Sequence, residues 1–124
     1  MTIEITELNH VNVTVPKAEE EAAKHFYGVI LGLKEVPKPQ ESRGRGGAWY
    51  HLGGVQLHLS IEDGALNEAS KRHVCYLVRD LTTAEAHFRA TGVEVIPDNL
   101  PVRGWARFYV RDPGGNRIEI AEKR

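Results

Sequence analysis

His10, His58, His73 and Glu119 are the residues of this 124-residue chain whose types and spacing together can do chemistry. Each lies where apolar and polar residues alternate, and each takes the polar side. In GVQLHLSI, residues 54 to 61, Val55, Leu57, Leu59 and Ile61 oppose Gln56, His58 and Ser60, the period of two expected of a strand burying one face. LNHVNVTV sets His10, Asn12 and Thr14 against Val11, Val13 and Val15; RHVCYLV carries His73; RIEIAE places Glu119 between Ile118 and Ile120. The intervals are alike, 58 − 10 = 48 and 119 − 73 = 46. One histidine on a polar strand face is usually an ordinary hydrogen-bonding residue. Two pairs in matched register are more than that. Three imidazoles and one carboxylate suit a divalent transition metal, namely Zn, Ni, Co or Fe(II), and leave a residual charge of about +1 that makes a good Lewis acid. A neutral His58 can alternatively serve as a base.

The elements that must position these groups occur twice in the same order. The first strand, from Leu8, leads through Pro16 into a helix with Glu19, Glu20 and Glu21 at its positive end and an apolar stripe of Ala22, Ala23, Phe26, Tyr27 and Ile30, stopping at Gly32. A short strand, Leu33 to Val36, precedes the loop PKPQESRGRG. GAWYHL and GVQLHLSI then form a hairpin through Gly53-Gly54. In the second half, RHVCYLV is followed by a helix that Thr82 and Glu85 open as a capping box and Gly92 ends. VEVI, ARFYV, the turn RDPGGN and RIEIAE complete the set. The pattern predicts an α+β chain of two βαβββ modules, an internal repeat over 6–61 and 72–122 within one domain, 1–124, joined by EDGALNEASK. Two four-stranded sheets, each covered by a helix on one face, leave their other faces free to enclose a cleft where the four donors can converge.

Composition bounds the function. Sixteen Lys and Arg against 17 Asp and Glu give a formal charge of −1, no field to hold a polyanion, so nucleic acid is not an expected partner. A single cysteine, Cys75, excludes an internal disulfide and fits a reducing compartment. No stretch approaches the roughly 20 apolar residues of a membrane span, and the start does not read as a signal peptide. The expectation is a cytoplasmic protein with a small-molecule substrate.

LNHVNVTV, FYGVILGL, GGVQLHLS, RHVCYLV and above all RFYVRDPGGNRIEI make the chain similar to the vicinal-oxygen-chelate superfamily. That superfamily contains glyoxalase I, fosfomycin-resistance thiol transferases, methylmalonyl-CoA epimerase, bleomycin-binding proteins and extradiol dioxygenases. The resemblance covers nearly the whole chain and implies paired modules in a U-shaped mixed sheet around a metal cleft, usually in a homodimer whose cleft can combine modules of both chains. Its ligand positions fall on His10, His58, His73 and Glu119. It implies a metal-dependent lyase or isomerase of glyoxalase type acting on a small oxygen-chelating substrate, the metal stabilising an enediolate-like oxyanion while Glu119 or His58 moves a proton. The alternatives are an Fe(II)-dependent extradiol-type dioxygenase and a non-catalytic toxin- or antibiotic-binding protein of the bleomycin-resistance type. His58 is a departure, since glyoxalase I generally has glutamate there and methylmalonyl-CoA epimerase glutamine.

Strand parity adds further candidates. Trp49 and His51 oppose Tyr50 and Leu52, and Arg107 and Tyr109 oppose Phe108 and Val110. The resemblance favours the first member of each pair as cleft-facing. Arg107 can hold a carboxylate or phosphate, and Tyr109 can donate to an oxyanion; the plain alternatives are a surface ion pair and a rim aromatic. Trp49 and Trp105 suit an apolar wall or the core equally. Cys75 is expected to be a small buried residue rather than a nucleophile, and His25 and His87 to face solvent. The Pro37 to Gly46 loop, with Arg43 and Arg45, is expected to close over a ligand or simply to connect strands.

Overall fold

A computed structural model describes residues 2–124, which divide into two compact units with the boundary between Asp63 and Gly64. In the first unit β1 (His10–Val15) is followed by a short 3-10 turn, helix α1 (Glu20–His25) and one wider, π-helical turn (Phe26–Ile30). Strands β2 (Lys34–Val36), β3 (Ala48–Leu52) and β4 (Val55–Ile61) complete it in the sheet order β1-β4-β3-β2. The second unit repeats the plan with β5 (His73–Leu77), α2 (Leu81–Ala90), β6 (Ile96–Pro97), β7 (Trp105–Arg111) and β8 (Arg117–Lys123), in the order β5-β8-β7-β6. The fold is α+β, two βαβββ units. Each sheet is mixed, because β1 runs parallel to β4 and β5 to β8 while the remaining neighbours are antiparallel.

The apolar rows build the cores. In the first unit Val15, Leu57, Leu59, Ala48 and Tyr50 are buried with Ala23, Phe26 and Tyr27 of the helical segment, and the Tyr27 and Tyr50 rings lie 6.1 Å apart. In the second, Ile118, Ile120, Phe108 and Val110 are buried with Phe88, which meets Phe108 edge-to-face at 5.9 Å. Fully burying such a side chain contributes roughly 1.5–3 kcal/mol, so these rows fix which face each sheet turns to its helix and leave the opposite faces to the polar set.

Several local expectations are corrected. Ala22 is exposed, and the buried side of the helical segment is carried by Ala23, Phe26 and Tyr27. Helix α2 is capped by Asp80, whose Oδ1 accepts the Thr83 N–H at 3.2 Å; Thr82 lies inside the first turn. At its other end Val93 N–H donates to Phe88 O and Gly92 N–H to Arg89 O, with Gly92 at φ 80°, which closes the helix. The short strand read at VEVI begins three residues later, at Ile96, because Val93 is tied into that helix exit. In RDPGGN the organising residue is Asp112, which is buried and accepts the Gly114 and Asn116 N–H groups at 2.9 Å each.

Glu20 does more than face a helix dipole. It is buried, pairs with Lys17 and accepts the Gly47 N–H at 2.8 Å, which ties the 37–47 loop to the start of α1, while Lys38 donates to Gly46 O. The loop forms a helical turn over Gln40–Arg45. Gly47 sits at φ 76°, and a Cβ there would lie 2.0 Å from Leu59 O, so only glycine fits.

Candidate functional site

The two units bring their donors together in pairs with the same geometry. His10 lies across from Gln56, two residues before His58, and His73 lies across from Arg117, two residues before Glu119. Each pair is therefore diagonal across a parallel strand pair, joining an edge strand to an inner one. The inner donor also faces an aromatic residue, Trp49 opposite His58 and Tyr109 opposite Glu119.

In the first unit the His10 and His58 rings stack at 4.1 Å, and Trp49 stacks on His58 at 3.9 Å with an interplanar angle of 3°. His58 is thus buried between two rings. Its Nε2 lies 2.8 Å from Gln56 Oε1, an acceptor, which makes Nε2 the protonated nitrogen and Nδ1 the one with a lone pair. Burial first, and the nearby His10 and Lys38 second, push its pKa below the usual imidazole range, so it stays neutral. The His10 Nδ1 lies 2.8 Å from Asn9 Oδ1, which by the same logic leaves Nε2 free to donate its lone pair.

His73 in the second unit faces acceptors on both sides, with Nδ1 3.0 Å from Lys71 O and Nε2 3.0 Å from Glu119 Oε1. A neutral imidazole carries one N–H and satisfies only one of them. A metal ion between Nε2 and the carboxylate would let Nδ1 keep its N–H for Lys71 O while Nε2 and Glu119 both act as donors to the ion. This donor set fits a divalent cation, with outer hydrogen bonds of the kind that orient ligating histidines. Within either unit, no set of three or more His, Cys, Asp or Glu side chains among the described residues is gathered to hold a metal.

Glu119 is buried, and its other oxygen, Oε2, lies 3.7 Å from Arg107 Nη1. The rest of the Arg107 fork is occupied. Nε donates to Asp98 Oδ2 at 2.9 Å and Nη2 to Leu100 O at 2.8 Å. Tyr109 is buried, its ring 6.0 Å from His73 edge-to-face, with the Arg117 guanidinium 4.1 Å over it.

Cys75 lies across from Glu119 and is exposed, not the small buried residue expected. Desolvation of the sulfur and the adjacent Glu119 carboxylate still push the thiol up to about 11, which fits an unreactive residue. Trp105 is exposed, with Lys123 Nζ 5.8 Å from its ring, and belongs to neither core nor wall. His25 and His87 are on the surface, as expected, and His51 is exposed. Asp98 and Arg117 join the site without a distinguishing sequence pattern. Asp98 gives no local signal, because its tie to Arg107 comes from a loop folding back onto β7. Arg117 reads as the solvating charge of any half-exposed strand.

Residues 7–120 match the family described as the Glyoxalase/Bleomycin resistance protein/Dioxygenase superfamily. The chain belongs to it. Among solved structures, this superfamily member is similar to a glyoxalase family protein from Bacillus anthracis, 37% identical, with a TM-score of 0.88 and 100% of both chains covered. Lactoylglutathione lyase from Agrobacterium tumefaciens is 20% identical, with a TM-score of 0.74 over 96% of this chain and 95% of that one. TnmS3, an antibiotic binding protein from Streptomyces sp. CB03234, is also 20% identical, with a TM-score of 0.77 over 99% and 100%. The last two likenesses speak to the fold alone. No curated protein matches the chain. Among the described residues, no helix is long and apolar enough to cross a membrane.

Proposed function

We propose that the chain is a metal-dependent lyase or isomerase of glyoxalase type, acting on a small substrate with two neighbouring oxygens. The observation that carries this reading is the His73–Glu119 contact, in which an imidazole already facing a backbone carbonyl turns its second nitrogen to a buried carboxylate. His10, His58, His73 and Glu119 would hold the ion, the two pairs coming from the units of one chain or of two. When bound, a divalent transition metal supplies Lewis acidity that neutralises oxyanion charge on the substrate.

The chain's own residues supply the rest. His58, packed between Trp49 and His10 with Nε2 turned to Gln56, has one lone pair, on Nδ1, to give either to the ion or, when Glu119, His10 and His73 hold the ion without it, to a substrate proton. Glu119 is the second proton acceptor, and Arg107, anchored by Asp98, holds its Oε2 side. Trp49 presents a flat apolar surface beside His58 that keeps water from the base.

The test is metal binding by tag-free protein, followed by equilibrium dialysis and elemental analysis with Zn, Ni, Co and Fe(II). Stoichiometric binding that His73→Ala and Glu119→Gln each abolish is expected. Binding of none of the four metals would end the proposal. Deuterium exchange at the carbon next to the carbonyl of a 2-oxoaldehyde thiol adduct, followed by NMR, then tests the reaction. A sequestering function is the second reading, favoured by the continuous Trp49, His58 and His10 stack, which is suited to an aromatic ligand. Aromatic-ligand affinity that His10→Ala leaves intact, in a protein that holds no metal, would favour it.

A further inference from the structure

The duplication supplies an internal comparison. Because Trp49 pairs with His58 and Tyr109 with Glu119, His51 and Gln56 of the first unit occupy the places of Arg111 and Arg117 in the second. Each is a cross-strand pair, one two-residue step from the inner donor and on the same face. The first unit puts an imidazole and an amide there. The second puts two guanidinium groups there, so the charge is not something the fold requires.

Those two arginines line a recess of about 280 Å³ bounded by β6, β7, β8 and the segment from Asp98 to Leu100. Its charged lining residues are Arg107, Arg111, Arg117 and Asp98, a formal 3 − 1 = +2. Arg107 and Asp98 satisfy each other. Arg111 spends one nitrogen on Gly115 O at 2.8 Å, and Arg117 lies over the Tyr109 ring within the longer-range field of Asp98, so neither makes a close ion pair with a carboxylate among the described residues. Two half-buried arginines side by side repel each other unless an anion lies between them. Stacking on Tyr109 fixes Arg117 while leaving its N–H edge free to donate. At that volume the recess takes a small acidic group rather than a large ring system.

We propose that this recess is an oxyanion subsite, in which Arg111 and Arg117 hold a carboxylate or phosphate group of the substrate. It rests on the function proposed above and narrows the substrate to acids. The chelating oxygens would lie toward His73 and Glu119, with the acidic group one strand step away, about 7 Å along β8. The anion also orients the molecule, since His51 and Gln56 put no guanidinium at the matching places of the first unit.

The experiment is calorimetric titration of the metal-free full-length chain with inorganic phosphate and with succinate, at constant ionic strength. Saturable one-site binding is expected, weakened about tenfold or more in Arg117→Gln and in Arg111→Gln, and changed less than about twofold in Arg79→Gln, an exposed control of equal charge. Tighter phosphate assigns a phosphoryl substrate and tighter succinate a carboxylate. No saturable binding, wild-type affinity in both pocket variants, or equal weakening in Arg79→Gln would overturn the proposal. A readout without variants is 2,3-butanedione modification of the wild type mapped by mass spectrometry. Phosphate should protect Arg111 and Arg117 but not Arg79, and absence of that protection counts against the subsite. Since no metal is present in either assay, failure here leaves the metal reading standing, and failure of metal binding leaves the anion measurement standing.

Discussion

At the scale of single residues, the surroundings of a side chain decide its chemistry more than its type does. Cys75 is exposed, yet desolvation of its sulfur first, and the Glu119 carboxylate across the strand pair second, push its thiol up to about 11. Iodoacetamide labelling at pH 8 should therefore be roughly tenfold or more slower than that of an unperturbed thiol, and Glu119→Gln should speed it up. Labelling at the free-thiol rate in the wild type would show that the thiol is not raised in this way. Sequence alternation placed Cys75 correctly on the His73 face, but it could not reveal that this face leaves the sulfur open. The same limit applies to Asp98. Its partner is nine residues away on another element, and nothing in a local window records a loop that turns back to meet Arg107.

At the scale of elements, strands were legible and boundaries less so. Alternation in LNHVNVTV, GVQLHLSI and RIEIAE is dictated by burial of one face, and β1, β4 and β8 follow it. The start of α2 was misplaced because Thr82 and Glu85 have the spacing of a capping box, while Asp80, two residues earlier, makes the actual cap. Asp80→Ala should lower stability by about 1 kcal/mol and Thr82→Ala by much less, measured by urea unfolding; the reverse ranking would restore the sequence-based assignment. The loop before β3 makes a second case. Gly47→Ala forces a left-handed backbone and a clash with Leu59 O, for an expected loss of about 2 kcal/mol or more in the same assay. A loss below about 0.5 kcal/mol would mean that the loop relaxes freely.

Across the whole molecule, charge is nearly balanced at −1, so acid stability is governed by particular carboxylates rather than by a global field. Glu20 is one of them. Its bonds to Lys17 and to the Gly47 N–H lower its pKa to about 2, against about 4.3 for an unfolded glutamate. A depressed carboxylate stabilises the fold above the unfolded value and loses that contribution as pH falls from about 5 through 2. Glu20→Gln should thus unfold more easily than wild type at pH 7, with the difference shrinking towards pH 2; a gap independent of pH would assign the effect to packing instead. The twofold plan was visible in the sequence because both halves repeat one succession of elements. The pairing of donors was visible only as an interval, since register is a property of strands side by side. That interval also has a consequence in time. His10 meets His58 across 48 residues and His73 meets Glu119 across 46, each through the parallel contact that closes its unit, so every intervening turn must be in place before either pair exists. On the ribosome the first pair can assemble while β5 to β8 are still unmade, and a metal ion able to reach the nascent chain would encounter two imidazoles long before it encountered the carboxylate.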